Sequence, residues 1–367
     1  MSEHFEVIGV SSPGKELDEV KNDEEIQVIA IDMSRQITPV KDIKSLWSTY
    51  KLLRKEKPQI VHTHTPKAGI VGMLAAKLAG VPHRLHTIAG LPLMEVTGMK
   101  REILNFVEKL TYASATKVYP NSKGLYEYIL QNNYTHKSKI KVIGNGSSNG
   151  IDTSYFSTDQ VTQAQKDLLK KELNIEDAHF VFVFVGRLVG DKGINELVKA
   201  FSHINKKENS QRQSKLLLVG PLEQELDPLH PDTLREIENN PDIISVGFQK
   251  DVRPYFAISD ALAFPSYREG FPNVVMQAGA MGLPSIVSDI NGCNEIIIED
   301  QNGAIVPVKN SEKLSEAMRK MKLDTDYYQK LKMNARPMIE SRYEQSVIWN
   351  ALLSEYKKLI KEKDYRV

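Results

Sequence analysis

Two short segments in the second half of the chain place cations, glycines and a carboxylate where diphosphate chemistry needs them. Residues 185–193 read Val-Gly-Arg-Leu-Val-Gly-Asp-Lys-Gly, directly after an apolar run and ahead of a helical pattern. Glycine lets a backbone approach a ligand closely, and the free N–H groups of a helix start attract anions. Gly186 opens this turn, and Arg187 and Lys192 add two cations at its mouth. That is the outline of a diphosphate site; the alternative is a tight strand-to-helix turn with both cations merely exposed. Residues 265–278 follow another apolar run, with Gly270 permitting an unusual turn and a helix expected from about Asn273. Glu269 falls at the edge of that pocket. A carboxylate there accepts sugar hydroxyls or stabilises positive charge developing in a transition state; its other reading is a capping residue. Gln277, one helical turn inside, is placed to bond a ribose.

Other constellations carry less. Residues 62–67, His-Thr-His-Thr-Pro-Lys, read as a strand end entering a helix. Such a place binds phosphate or hydroxyls, with His64 and Lys67 as the candidates, but no third ligand is near in sequence, so no metal site is expected. Asp324-Thr325-Asp326 matches an Asp-x-Asp metal pattern, yet it precedes a helix and reads as an N-cap. Gly144-Asn145-Gly146 fails as a dinucleotide fingerprint because Ile151-Asp152 follows instead of a helix. Cys293 stands at an expected helix start without a partnering His pattern, so it reads as a small packed residue.

The elements that must position these groups alternate. Strand-like runs at 5–11, 26–31, 60–64, 84–87, 117–120 and 140–143 form one series. Runs at 181–186, 215–219, 243–246, 261–265, 284–288 and 304–307 form another. Nearly continuous apolar strands are buried parallel strands, and strand–helix alternation predicts α/β architecture with two doubly wound sheets. Ligands then bind at the carboxyl ends of strands, and the cleft between two facing sheets is the expected site. The series break near 149–159, before a helix expected over 160–173. The predicted division is a first domain over 1–155, a second over 156–343, and a last helix over 344–367. That helix carries Ile348, Ala351, Leu352, Tyr356 and Leu359 on one stripe, so it is expected to return to the first domain.

Length and composition fit two globular domains: 367 residues, 41% apolar, 26% charged. One cysteine excludes a disulfide framework, and no apolar stretch reaches the roughly 20 residues of a spanning helix or the pattern of a signal peptide. A cytoplasmic protein is expected. The chain carries +1 overall, yet residues 35–150 hold 18 Lys+Arg against 6 Asp+Glu, a balance of +12. The cations crowd two amphipathic stretches. Residues 41–57 combine Trp47, Tyr50, Leu52 and Leu53 with six Lys/Arg; residues 99–110 combine Ile103, Leu104, Phe106 and Val107 with Lys100, Arg101 and Lys109. They read either as solvated helices or as surfaces for an anionic membrane or a lipid diphosphate. Nucleic acid is not expected, because no helix-turn-helix, zinc knuckle or stacking motif accompanies the charge.

Three segments, 185–201, 261–288 and 291–307, resemble the family 4 retaining glycosyltransferases in order and spacing. Residues 61–82 and 142–152 resemble the branch that builds capsule and O-antigen repeat units. The resemblance covers nearly the whole chain. It implies the GT-B architecture, two Rossmann-like domains facing a cleft, with the nucleotide-sugar held mainly by the second. By position it implies that Arg187 and Lys192 bind the donor diphosphate. Glu269 would contact the donor sugar, and Gly270, Phe271, Pro272 and Asn273 would bind phosphate and sugar through their backbone. Phe248 would lie near the base, and Asn145 would belong to the cleft.

Three departures stand out. Gln277 replaces a ribose-holding Glu, exchanging a charged hydrogen bond for a neutral one. Ala89 stands where relatives carry a His, and His86, three residues earlier, either reaches the acceptor side or is simply packed. The family's opening strand and glycine-rich loop have no counterpart before Ser2-Glu3-His4-Phe5, which implies either a start assigned too late or an inactive chain.

The expected reaction is retaining transfer of a hexose or N-acetylhexosamine from a UDP-sugar, with no cofactor and no metal. The expected acceptor is a polyprenyl-diphosphate-linked saccharide at the inner face of the plasma membrane. Two rivals are a nucleotide-sugar-binding protein without turnover and a UDP-sugar epimerase of the same architecture.

Overall fold

The computed structural model describes residues 1–34, 38–91, 93, 96–207, 213–225 and 227–364. The chain divides into two compact units, one of Met1–Ser148 with Ile348–Val367, the other of Asn149–Val347.

The first unit alternates β1 (Ile8–Ser11), α1 (Lys15–Asp23), β2 (Gln27–Ala30), α2 (Pro39–Glu56), β3 (Ile60–Thr63), α3 (Pro66–Ala79), β4 (His83–Ile88), α4 (Gly98–Ser114), β5 (Lys117–Pro120) and α5 (Lys123–Gln131). All its strand pairs are parallel, but they form two ladders, β1-β2 and β3-β4-β5, with none joining them among the described residues. The expected series of six strands is therefore corrected to five. Residues 140–143 are not a strand: Ile140 makes a lone bridge to Val118, and the chain then turns through Gly144 at φ +56°. The apolar pattern there has another cause. Ile140 and Ile143 are buried in two different side-chain clusters.

The second unit runs α6 (Gln163–Glu172), β6 (Phe180–Val185), α7 (Ile194–Lys207), β7 (Ser214–Val219), α8 (Pro231–Asn239), β8 (Ile243–Ser245), α9 (Arg253–Ala257), β9 (Ala261–Phe264), α10 (Asn273–Ala280), β10 (Ser285–Ser288), α11 (Cys293–Ile296), β11 (Gly303–Val306), α12 (Ser311–Leu323) and α13 (Thr325–Tyr343). Its six strands form one parallel sheet in the order β11-β10-β9-β6-β7-β8. Phe180, Phe182 and Phe184 of β6 are fully buried, as are Leu216, Leu217 and Leu218 of β7. Helices on both faces account for strands without polar alternation. Asp324 caps α13, its Oδ1 accepting from the Tyr327 N–H at 3.0 Å, and Cys293 is fully buried with its thiol pushed up by that burial.

The change of unit falls at 148/149 rather than at 155. Residues after 149 dock on the second unit: Ile151 N–H donates to Tyr343 O at 2.8 Å, and Thr153 Oγ1 to Glu344 at 2.5 Å. Arg336 of α13 donates to the carbonyls of Thr153, Phe156 and Ala280. The last helix, α14 (Gln345–Asp364), joins the first unit from Ile348. Its Ala351, Leu352, Tyr356 and Leu359 pack with Leu85, Tyr119 and Ile143. Glu355, a carboxylate in that stripe, accepts from Tyr119 Oη at 3.2 Å and Lys141 Nζ at 2.6 Å, which lets it be buried.

Candidate active site

The carboxyl ends of β6, β7 and β9 gather the diphosphate candidates. Gly186 leaves β6 at φ +150°, and its carbonyl lies against Gly220, whose added Cβ would stand 1.8 Å from Gly186 O. Gly220 N–H donates to Gly247 O at 2.8 Å, which brings the loop carrying Phe248 to the same strand ends. Phe248 is 73% exposed there.

Lys192 and Glu269 meet although 77 residues separate them: Lys192 Nζ lies 2.5 Å from Glu269 Oε1. Backbone contacts make this meeting possible. Gly193 has φ +70°, and a Cβ on it would stand 2.1 Å from Pro265 O. Tyr267 N–H donates to Asp191 O at 2.9 Å, and Arg268 pairs with Asp191 at 2.9 Å. The two loops are therefore stitched together on either side of the ion pair. Ser266 Oγ donates to Glu269 Oε1 at 2.9 Å, so the carboxylate is oriented as well as paired. Asn291 Nδ2 donates to Gly270 O at 2.6 Å and Glu269 O at 3.2 Å, holding the turn. Arg187, about half exposed, is engaged with Glu223 at 3.4 Å.

Beyond Gly270, Phe271 packs edge-on to Tyr343 at 5.4 Å between ring centres. Pro272 is the N-cap of α10, and no side chain caps that helix. Pro cannot accept through its side chain, so the first N–H groups of α10 are left without a side-chain cap, the kind of helix start that favours an anion. Gln277 lies half-buried one turn on. Lys192, the partly buried Glu269 carboxylate and a helix start without a side-chain cap are thus brought together by the loops that follow β6 and β9.

The family described as glycosyl transferases group 1 matches residues 165–338, and that described as glycosyl transferase 4-like matches residues 1–122. Over 355 residues the chain is 34% identical to the capsular polysaccharide biosynthesis glycosyltransferase CapM of Staphylococcus aureus, covering 97% of this chain and 90% of that protein. The chain belongs to the group 1, 4-like glycosyltransferases. It is also 33% identical over 290 residues to the UDP-Gal:alpha-D-GlcNAc-diphosphoundecaprenol alpha-1,3-galactosyltransferase of Escherichia coli, covering 78% of this chain and 72% of that one. A glycosyltransferase structure from Rickettsia africae superposes with a TM-score of 0.78 at 22% identity, over 96% of this chain and 90% of that chain. This glycosyltransferase has the GT-B fold.

In the glycosyltransferase's first unit the remaining candidates separate. His64 and His86 line one hollow at the carboxyl end of β4, together with Thr87, Ala89, Gly90 and Glu108. Lys67, expected on the acceptor side, pairs its ammonium with Asp42 of α2 at 2.7 Å, joining α3 to α2. Asn145 is exposed on the turn after residue 143 and does not line that hollow. Glu108, Asn121 and Ser148, which do line this region, are spaced too far apart in sequence to show a motif. Ser266 and Asn291 lay inside conspicuous segments, but their roles depend on side-chain direction. Among the described residues no group of three His, Cys, Asp or Glu is placed to hold a metal ion.

His86 is buried, with Nδ1 2.8 Å from Thr63 Oγ1. Burial, reinforced by His64, brings its pKa down to about 4. The unfolded chain takes up this proton near pH 6.5 and the folded one only near pH 4, so stability falls as pH drops between those values. The loss reaches about 3 kcal/mol below pH 4. His86→Gln is therefore expected to flatten the decline of the thermal midpoint between pH 7 and pH 4.5, measured by scanning calorimetry; an unchanged slope refutes it.

Proposed function

We propose that this glycosyltransferase moves a hexose or N-acetylhexosamine from a UDP-sugar to a polyprenyl-diphosphate-linked saccharide, with retention, in cell-surface polysaccharide synthesis. The observation that carries the donor half is the oriented Lys192–Glu269 pair beside the uncapped start of α10. The acceptor half is supported by the Escherichia relative, named for GlcNAc-diphosphoundecaprenol, and the place in cell-surface polysaccharide synthesis by the Staphylococcus capsular relative.

In this reading the bond between the anomeric carbon and the diphosphate breaks, and the bond to the acceptor oxygen forms on the same face. The acceptor's proton passes to the departing phosphate oxygen. Lys192, Arg187 and the α10 N–H groups neutralise the charge that builds on the diphosphate, a task for which neither metal nor cofactor is invoked. Glu269 holds a donor-sugar hydroxyl and faces the developing oxocarbenium charge. Gln277 meets the ribose with a neutral amide, so the nucleotide is held less tightly than a carboxylate would hold it. The test is product analysis with UDP-galactose, UDP-glucose and their N-acetyl forms, with and without GlcNAc diphosphate on a short lipid. A sugar-extended lipid is expected; an epimerised donor without any acceptor points to an epimerase, and no turnover leaves a binding protein.

The same reading places the protein in the cytoplasm, peripheral on an anionic membrane. No helix among the described residues is long and apolar enough to cross one. On α2, Val40, Ile43 and Trp47 form an exposed stripe, with Trp47 54% exposed and Lys51 over its ring. On α4, Met99, Ile103 and Phe106 do the same, Phe106 being 66% exposed. Apolar side chains amid cations suit the interface of an anionic bilayer. Vesicles containing phosphatidylglycerol are expected to carry the protein up a density gradient at low salt. Phe106→Ser with Trp47→Ser is expected to cut that fraction at least fivefold; flotation equal to the wild type's, or none by the wild type, removes the membrane from the reading.

A further inference from the structure

Lys192 ends a single short helical turn, Gly190–Lys192, and the residue before that turn, Val189, gives it no side-chain cap. A helix start leaves its first N–H groups unmatched. Here two of them are taken by one distant residue, the half-buried Asp227 in the loop after β7. Gly190 N–H donates to the Asp227 carbonyl at 3.1 Å, and Asp191 N–H donates to Asp227 Oδ2 at 2.6 Å. A carboxylate suits a helix start, and a bond to an ionised acceptor is stronger than a neutral one. Gly190 makes room for it: a Cβ there would stand 2.9 Å from Asp227 Oδ2. The loop that carries Asp227 is itself anchored. Asn195 Oδ1, in the first turn of α7, accepts from His230 N–H at 3.0 Å and from Thr233 Oγ1 at 2.8 Å.

The turn is therefore held from two directions. Tyr267 N–H bonds the Asp191 carbonyl, and Arg268 pairs with the Asp191 carboxylate. Both come from the loop that carries Glu269, so they fix the two loops of the ion pair to each other. Asp227 comes from a third loop and fixes the same turn to the end of β7. The backbone of Lys192 thus has an anchor that does not depend on Glu269, and the 2.5 Å approach of its ammonium to Glu269 Oε1 depends on where that turn points. With the N–H groups of Gly190 and Asp191 engaged by Asp227, the turn meets a departing diphosphate through the Lys192 side chain rather than through these two amides.

We propose that Asp227 is a positioning residue of the donor site: by capping the Gly190–Lys192 turn from the loop after β7, it sets the direction from which Lys192 reaches Glu269 and the donor diphosphate. This rests on the transferase reading above and adds a residue that acts through Lys192 and not on the donor itself.

Two measurements on the full-length protein test it. Reductive methylation without ligand, read peptide by peptide by mass spectrometry, reports how free the Lys192 ammonium is. Initial rates with UDP-galactose and GlcNAc diphosphate on an undecyl chain report turnover. Asp227→Ala is expected to label Lys192 at least fivefold faster, with Lys170 unchanged, and to lower kcat at least tenfold with the acceptor KM unchanged. Asp227→Asn keeps an oxygen for the Asp191 N–H, and is expected to bring both readings back to within threefold of wild type. Lys192 labelling in Asp227→Ala equal to that of wild type overturns the proposal, and so does an Asp227→Asn variant without recovery. Faster labelling of Lys170 together with Lys192 means a general loosening, which assigns Asp227 to the fold alone and overturns it too. Faster Lys192 labelling in Asp227→Ala, restored by Asp227→Asn, without turnover of any donor by the wild type, supports the positioning of Lys192 and sinks the transferase reading instead.

Discussion

Lys192→Ala is expected to lower kcat about 10²–10³-fold, the loss typical of removing one preorganised group that meets developing charge. The ammonium is held before the donor arrives, because Glu269 positions it and Ser266 positions Glu269. Little reorganisation remains to be done as the diphosphate departs. The variant also leaves Glu269 without its cation in a partly buried site, so a donor-induced rise in thermal midpoint is expected to vanish with it. Steady-state kinetics with the best donor, beside a UDP titration followed by thermal shift, checks both. Lys170→Ala is the control: that lysine, on α6, pairs with the exposed Asp177 beyond the helix, and its loss is expected to change neither reading. A Lys192→Ala enzyme within threefold of wild type would remove this ion pair from the chemistry.

Gly193→Ala is expected to cost about 2–5 kcal/mol. Two terms add. A left-handed conformation costs a non-glycine residue about 1–2 kcal/mol, and forced overlap in a packed region about 1–3 kcal/mol. The overlap is with a backbone carbonyl, Pro265 O at 2.1 Å, which cannot swing aside as a side chain would. Separating these backbones also pulls Lys192 from Glu269, so activity is expected to fall with stability. Gly282→Ala isolates the first term, since φ there is +80° and nothing stands within 4 Å of an added Cβ. Calorimetry of both variants should show the second losing no more than half as much. Equal losses would mean that loop approach at Gly193 is not tight.

The alternating runs, the glycine-bearing turns after them and the cation-rich first half were all legible along the chain. They are local properties, set by side-chain period and by which residues tolerate a turn. Strand and helix order, and the return of a last helix with an apolar stripe, followed from that local pattern. The misreadings were tertiary. Residues 140–143 have a strand's alternation but bury their isoleucines in separate clusters, because a ladder needs a neighbour that pattern cannot supply.

By itself the sequence determined the α/β class, the cations and carboxylate of the donor segments and the family they resemble. Only the tertiary structure decided that Lys192 meets Glu269, that Asp42 pairs with Lys67 and that Phe106 stays outside. The reason is physical. Hydrogen bonds and ion pairs act over about 3 Å, and which groups come that close depends on how distant strands end side by side.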